Sequence, residues 1–146
     1  MKNTTKSIGT NAACIMLIED DKTTNFINQV FLYTAPDPVN VRAFESADDA
    51  LDFLLKGLII EEEKPCNYPD LILLDLNLPG MSGWDFITEL KKIPKPYIKH
   101  IKIIILSNSH EEEDRKRAME TGLIDDYIFK PLSPEIINQI LKTYLT

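Results

Sequence analysis

Five residues that could take part in metal or group-transfer chemistry stand directly after strongly apolar stretches of the chain. Glu19 and Asp20 follow the run CIMLI, and Asp75 follows LILL. Ser107 follows IKIIIL, and Lys130 follows DYIF. Runs this short and this continuously aliphatic are typical of parallel strands buried on both faces. The carboxyl ends of such strands share one edge of the sheet, where doubly wound proteins bind their ligands, so we expect these five side chains to lie close together.

Three carboxylates at one sheet edge repel one another, and each is pushed towards protonation unless a cation compensates for the charge. The cluster contains no histidine or cysteine, and a set of oxygen ligands favours Mg²⁺ over a transition metal. A metal held by acidic groups beside an ammonium and a hydroxyl can stabilise the charge that develops in phosphoryl transfer, and a carboxylate can be the covalent acceptor. The pattern therefore indicates Mg²⁺-dependent phosphoryl chemistry.

Apolar runs alternate along the chain with segments of helical period, five of each. The predicted strands are residues 14–18, 39–44, 71–74, 101–106 and 126–129. The predicted helices lie near residues 23–34, 46–56, 83–92, 110–121 and 134–144. This alternation predicts an α/β fold, a doubly wound five-stranded parallel sheet in the order 2-1-3-4-5 with five helices. Residues 57–69 and 91–100 are predicted to be irregular connections.

Helix start and stop signals accompany these segments. Asp21 is interpreted as the cap of the first helix. The spacings of Ser46 with Asp49, Ser82 with Asp85 and Ser109 with Glu112 predict three further helix starts, the last as a capping box. Ser133 before Pro134 predicts a cap before a first-turn proline, and Gly57 and Gly122 are interpreted as helix stops.

Four motifs in succession, LIEDD, LILLDLNLPGMSG, IIILSNS and YIFKP, resemble the receiver domain of two-component response regulators. The resemblance covers about residues 14–145 and implies a flavodoxin-like receiver sandwich. It implies that Asp75 is the phosphoacceptor, and that Asp20, Glu19 (largely through water), Asp75 and the backbone carbonyl of Asn77 bind Mg²⁺. Ser107 would hydrogen-bond one phosphoryl oxygen and Lys130 would pair with another. Ser107 and Tyr127 would form the switch, the ring of Tyr127 moving inward as the hydroxyl moves, and the Lys130–Pro131 peptide bond would be cis.

The implied function is that of a stand-alone signalling switch. A histidine kinase or a histidine phosphotransfer protein would phosphorylate Asp75, and the change would alter the surface formed by residues 110–144 and its affinity for a downstream protein. That surface could also support a homodimer. The protein would catalyse only its own phosphoryl transfer and autodephosphorylation, and in this sense is not expected to be an enzyme. Asn108 stands where the family usually has alanine or glycine, so a larger side chain is expected at the entrance to the site.

Composition limits the classes of partner. The chain has 146 residues and a net charge of −7, so nucleic acid and anionic membranes are not expected partners. Residues 1–12 are interpreted as a flexible tail and 13–146 as one receiver domain. No apolar signal-peptide core opens the chain, and Cys14 is interpreted as a buried thiol, so a cytoplasmic location is expected.

Two other functions use similar architecture. A phosphatase of the haloacid-dehalogenase type also has an aspartyl nucleophile after a strand, but it needs a second aspartate two residues later, where this chain has Asn77. A flavodoxin-like cofactor-binding module needs a phosphate loop after the first strand, where this chain has Glu19, Asp20 and Asp21. A receiver that signals without phosphorylation is a further alternative. Taken alone, Asp75 could merely begin a turn.

Overall fold

The computed structural model describes residues 12–59 and 68–145. Residues 1–11 of the predicted tail lie outside these ranges, as does most of the predicted connection 57–69. The strands are β1 (Ala13–Ile18), β2 (Val39–Phe44), β3 (Leu71–Asp75), β4 (Lys102–Ser107) and β5 (Asp126–Phe129). The helices are α1 (Lys22–Tyr33), α2 (Ala47–Ile59), α3 (Gly83–Lys91), α4 (Lys95–Ile98), α5 (Glu112–Glu120) and α6 (Pro134–Tyr144).

All five strands are parallel and form one sheet in the order β2-β1-β3-β4-β5. The predicted fold class and strand order are therefore confirmed. β3 lies at the centre, paired with β1 on one side and β4 on the other. Its four aliphatic residues, Leu71 to Leu74, are fully buried, as expected for a strand with helices on both faces.

The helices divide between the two faces of the sheet. One core contains buried side chains of α2, α3, α4 and α5, packed on Met16, Ile72, Ile105 and their neighbours. The other contains buried side chains of α1 and α6, packed on Ile15, Leu73, Ile104 and their neighbours. Successive strand residues therefore serve opposite cores, which fixes the register of every strand.

Most of the predicted helix starts are confirmed. The side chain of Asp21 accepts a hydrogen bond from Thr24 N and caps α1. Ser46 accepts from Asp49 N at 3.2 Å, and Ser133 accepts from Ile136 N at 3.1 Å. Ser82 and Asp85 form a reciprocal capping box at the start of α3, which fixes the direction in which the chain leaves the β3 edge.

Three local predictions are wrong. The capping box of Ser109 is absent, because Ser109 Oγ accepts from Glu111 N two residues on and α5 begins only at Glu112. Gly57 does not stop a helix, since α2 continues to Ile59. The stretch 91–100 includes the one-turn helix α4, so residues 12–59 and 68–145 contain six helices where five were predicted. By contrast, Gly122 follows α5 with φ +79°, the backbone expected at a helix stop.

Cys14 differs chemically from its prediction. Its side chain is buried, but the residue is disulfide-bonded and is not a thiol. The interpretation of Cys14 as a buried thiol is therefore wrong, and it no longer supports a reducing compartment. Cys66 lies outside the described residues. Within residues 12–59 and 68–145, no helix has the length and apolarity needed to cross a bilayer.

Candidate functional site

Asp75 is the last residue of β3, and its position is fixed by hydrogen bonds that the next two residues donate. The next residue, Leu76, still donates its N–H to Leu106 O of β4 at 3.4 Å. The N–H of Asn77 donates to Asp75 Oδ1 at 3.0 Å. Asp75 is only 3% exposed, so a charged carboxylate is held almost entirely out of water at the centre of the sheet edge.

Glu19 and Asp20 follow β1, the strand beside β3. Glu19 N donates to Phe44 O at 2.9 Å, and Glu19 Oε2 accepts from Asp21 N at 3.1 Å. Glu19 is 1% exposed, whereas Asp20 faces solvent. One carboxylate oxygen from each of Glu19, Asp20 and Asp75 lies within 4.8 Å of the others. The structure thus brings the three predicted carboxylates together.

Lys130 closes the site from β5. Its Nζ lies 2.6 Å from Glu19 Oε1 and 3.1 Å from Asp75 Oδ2. Its backbone N–H donates to Ser107 O at 2.8 Å, which ties the end of β5 to the end of β4. The Lys130–Pro131 peptide bond is cis, as the resemblance implied. One ammonium therefore contacts two buried carboxylates, and a third carboxylate lies beside them.

The pKa values of these groups show how burial and charge compete. Burial raises the pKa of Glu19 above its ordinary value; the hydrogen bond to Lys130 opposes this, and the charge of Asp75 adds to it. Burial alone would lower the pKa of Lys130, but the hydrogen bond to Glu19 and the charges of Asp75 and Glu19 outweigh it, so the pKa is raised. The excess negative charge is therefore costly without a further cation.

The donor set fits a hard divalent cation. Glu19 Oε1 is buried and faces the ammonium of Lys130 at 2.6 Å. Asp20 offers an exposed carboxylate on the open side of the cluster. Oxygen ligands of this kind, with room for water, are what Mg²⁺ prefers in proteins.

Ser107 is the last residue of β4, the strand next to β3, and Tyr127 lies on β5. Ser107 is fully buried, and its Oγ accepts from Ser109 N at 2.9 Å. Tyr127 is 6% exposed, and its hydroxyl donates to Ser109 O at 3.3 Å. Both side chains therefore hold the same residue of the β4–α5 loop, and the ring of Tyr127 already lies inward in this structure.

A cavity of about 470 Å³ opens above the carboxylates. Asn77 and Asn108 line it, so the larger side chain expected at the entrance does lie there. Sequence reasoning missed its other wall, which α1 forms with Ile27, Asn28 and Phe31. The helical spacing of Asn28 from the cap Asp21, seven residues, could have placed it on the face of α1 nearest the site.

Asn25 is a second residue that sequence reasoning missed. It is buried on α1, and its side-chain amide donates to Glu19 O at 2.9 Å and to Phe44 O at 3.2 Å. Its own Oδ1 accepts from Gln29 Nε2 at 2.7 Å. Asn25 therefore joins α1 to the backbone that carries the acidic pair. It is a positioning residue, because none of these hydrogen bonds reaches a carboxylate oxygen of the cluster.

Comparison with known proteins gives the family. The sequence model of the response regulator receiver domain matches residues 15–142. The phosphate regulon transcriptional regulatory protein PhoB of Escherichia coli is 52% identical over 68 residues, which is 47% of this chain and 28% of PhoB. This chain spans about a quarter of the length of the curated relatives that it first matches.

Solved structures agree with the fold. The phosphorylated cyanobacterial phytochrome response regulator RcpA is 28% identical with a TM-score of 0.76, over 92% of this chain and 95% of that one. The Mn²⁺-bound form of response regulator Rcp1 is 28% identical with a TM-score of 0.74, over 91% and 94% respectively. With its match across nearly all of residues 12–145, the chain belongs to the receiver domain family of two-component response regulators.

Proposed function

We propose that this chain is a stand-alone response regulator that accepts a phosphoryl group on Asp75 in the presence of Mg²⁺. The observation that carries the proposal is the convergence of Glu19, Asp20 and Asp75 within 4.8 Å, with Lys130 Nζ 3.1 Å from Asp75 Oδ2. The phosphorylated form of RcpA and the Mn²⁺-bound form of Rcp1 are structures of similar proteins and are consistent with this chemistry.

In the proposed reaction, a carboxylate oxygen of Asp75 attacks the phosphorus of a phosphohistidine. The new P–O bond forms as the P–N bond breaks, and the electron pair remains on the imidazole nitrogen. Glu19, Asp20, Asp75 and the Asn77 carbonyl would hold Mg²⁺, which supplies positive charge to the phosphoryl oxygens when bound. Lys130 pairs with a phosphoryl oxygen, because its ammonium already contacts the acceptor carboxylate. Water later hydrolyses the acyl phosphate.

The proposed switch starts at Ser107, whose hydroxyl proton is free to be donated to the phosphoryl group because its oxygen is the acceptor for Ser109 N. A shift of Ser107 moves Ser109, and the Tyr127 hydroxyl follows through its bond to Ser109 O. The affinity of the 110–144 surface for a downstream protein then differs between the two forms, and only such a difference can move the equilibrium. The same surface is the proposed site of homodimerisation.

The phosphoryl donor, a histidine kinase or phosphotransfer protein, is proposed to dock on α1. No charged residue occurs between residues 23 and 36. Phe26, Ile27, Val30 and Tyr33 are exposed on this helix, Phe26 by 66%. Ile27 also lines the cavity above Asp75, so the apolar face continues into the site. An exposed apolar face beside a reactive group is typical of a protein-binding surface.

Two further parts of the proposal concern context. RcpA and Rcp1 are matched over 95% and 94% of their chains, which supports a regulator that works without a fused output domain. The mass of the native protein in cell extracts tests this. A cytoplasmic location is proposed because the expected donors take their phosphoryl group from ATP.

A Phos-tag gel tests the reaction directly. Incubation with acetyl phosphate and Mg²⁺ is expected to retard the wild-type band, and Asp75→Asn is expected to prevent the shift. An unshifted wild-type band, or an equal shift of the variant, contradicts the proposal.

A further inference from the structure

An apolar groove lies at the end of the domain opposite Asp75. Its volume is about 660 Å³, and it runs between the C-terminal half of α2 and the segment that joins α3 to α4. Helices α2 and α3 both run from the sheet edge that carries Asp75 towards the opposite edge. The groove at their C-terminal ends is therefore remote from the proposed phosphoacceptor. Most of the lining is aliphatic or aromatic, with Leu55, Leu58 and Ile59 on one side and Ile93, Pro94 and Tyr97 on the other, and the ion pair of Glu89 with Lys92 also lines the groove.

The groove exposes large apolar side chains to solvent. Ile59 is 79% exposed, Tyr97 is 52% exposed and Leu55 is 40% exposed. Single exposed apolar residues are ordinary on a protein surface, but a contiguous concave group of them is typical of a binding site. The groove therefore has the shape and the chemistry to receive apolar side chains of another molecule.

The same segment is strongly basic in an acidic protein. Residues 91–102 contain five of the chain's 16 basic residues and no acidic residue, while the net charge of the chain is −7. Lys91, Lys92, Lys95 and Lys99 are exposed. Within the ranges that the structure describes, Lys92 pairs with Glu89 at 2.8 Å, and no ion pair involves Lys91, Lys95 or Lys99. Lys91, Lys95 and Lys99, which belong to the same segment as the groove residues Ile93, Pro94 and Tyr97, are thus available to an anionic ligand.

We propose that this groove, formed by α2, Ile93–Pro94 and α4, is a second protein-docking site, and that it binds an acidic amphipathic helix of a partner. The apolar walls would take the helix's apolar face, as in other helix-in-groove complexes, and the lysines would pair with acidic residues on its flanks. A concave apolar groove does not suit nucleic acid, which offers a charged backbone, nor a flat membrane surface. The inference does not depend on phosphorylation of Asp75.

The test uses a synthetic peptide as the probe. The peptide carries leucines at positions i, i+4, i+7 and i+11 and glutamates on the rest of its surface; a control peptide carries lysines in place of the glutamates. We expect the acidic peptide to shift the NMR resonances of residues 51–59 and 89–99 of the full chain, and its affinity to fall as salt is added. The basic peptide is expected not to bind.

Variants separate the two contributions. Leu55→Ser with Tyr97→Ala is expected to weaken binding at least about tenfold, since two apolar contacts are lost. Lys95→Glu with Lys99→Glu is expected to weaken it about tenfold and to reduce its salt dependence. Lys116→Glu, on exposed α5, is the matched charge control and is expected to change affinity less than twofold. All these side chains are exposed, so folding should survive, and circular dichroism checks it.

Five results would overturn the proposal. One is the absence of binding at millimolar peptide, and another is equal binding of the basic peptide. A third is that resonances shift on α1 and not at the groove. The fourth is that the peptide binds only after Glu61, Glu62 and Glu63 are changed to Gln, which would assign the groove to a segment of this chain. Binding to vesicles rich in anionic lipid, without peptide binding, would assign the surface to membranes and would equally overturn it.

Discussion

At the scale of single residues, the site is defined by charges that the apo protein tolerates poorly. Glu19 is almost fully buried, and its raised pKa means that the ionised form is disfavoured in the fold relative to the unfolded chain. Lys130 offsets part of this cost through its 2.6 Å contact. A group retained at a cost in stability is a candidate for function, and here the proposed function is the binding of a cation.

Glu19→Gln is expected to stabilise the metal-free protein at neutral pH by about 1 kcal/mol, because it removes a buried negative charge. The pKa of Glu19 is raised in the folded state, so wild type gains stability as the pH falls through that pKa towards 4.5. The difference in stability between wild type and Glu19→Gln therefore shrinks as the pH falls. Thermal melting between pH 4.5 and 8 checks both statements. Added Mg²⁺ should reverse the order of stability.

Glu45→Gln is the control for this experiment, because Glu45 is half exposed and its ion pair with Lys22 lies at the surface. Its melting temperature should change little. If Glu19→Gln melts below wild type at pH 8 without metal, the account of the buried charge is wrong.

Lys130→Met is expected to destabilise the metal-free protein by about 3 kcal/mol, because it leaves Glu19 and Asp75 without their shared counter-charge. In wild type, the pKa of Lys130 is raised in the folded state, so the stabilisation that its ammonium gives is complete below pH 10.5. This stabilisation is lost as the pH rises through the pKa of the folded state. Denaturant unfolding at pH 7 and pH 11 measures this. A penalty that is equal at both pH values would contradict it.

At the scale of elements, the loop after β3 has to return closely over the end of the strand. Gly83 N donates to Leu76 O at 3.0 Å. A Cβ atom on Gly83 would lie 2.7 Å from both Asp75 O and Leu76 Cα. Side-chain Cβ atoms do not approach other heavy atoms this closely without a shift of the backbone. The start of α3 is therefore pressed against the backbone of Asp75 and Leu76.

Gly83→Ala is expected to cost about 2 kcal/mol of stability and to weaken Mg²⁺ binding, because the backbone at Asp75 and Leu76 must shift. Gly122→Ala is the matched control. Gly122 has φ +79° but nothing within 4 Å of the added Cβ, so it should cost about 1 kcal/mol and leave Mg²⁺ affinity unchanged. Isothermal titration calorimetry distinguishes the two, and equal Mg²⁺ affinity in both variants would contradict the expected coupling.

Hydrophobic pattern was enough to predict the strands, because buried parallel strands are continuous aliphatic runs, and the common order of doubly wound sheets supplied the strand order. Local signals were less informative where two hydrogen-bonding choices compete. Ser109 has the spacing of a capping box with Glu112, yet its hydroxyl accepts from Glu111 N while its backbone carbonyl accepts from Tyr127. Contacts between β5 and the β4–α5 loop therefore determine the conformation of this loop. The sequence spacing of Ser109 and Glu112 carries no information about those contacts.

At the scale of the whole molecule, the acidic cluster was predictable because parallel strands deliver their ends to one edge. The apolar wall of the cavity was not, since Ile27 and Phe31 are separated from Leu132 by about a hundred residues and meet only through packing of α1 beside the β5–α6 loop. The site thus combines a charged floor, set by the sheet, with an apolar side, set by the helix.

Phe26→Ala is expected to reduce phosphotransfer from a histidine kinase or phosphotransfer protein about tenfold, because an exposed aromatic anchor of the proposed docking face is lost. Phosphorylation by acetyl phosphate should be unchanged, since Phe26 does not line the cavity. Comparing the two donors by radiolabel transfer measures this. Phe129→Ala, an exposed aromatic on β5, is the control with the protein donor. Equal loss with both donors would contradict a docking role.

The central claim is that Asp75 receives a phosphoryl group at a magnesium site that Glu19 and Asp20 complete. The most direct test is mass spectrometry of the intact protein after incubation with acetyl phosphate. Borohydride reduction of the acyl phosphate then identifies the modified residue. We expect one added phosphoryl group, located at Asp75, present with Mg²⁺ and absent with excess EDTA or in Asp20→Asn. A modification at another residue, or one of equal extent in EDTA, would contradict it.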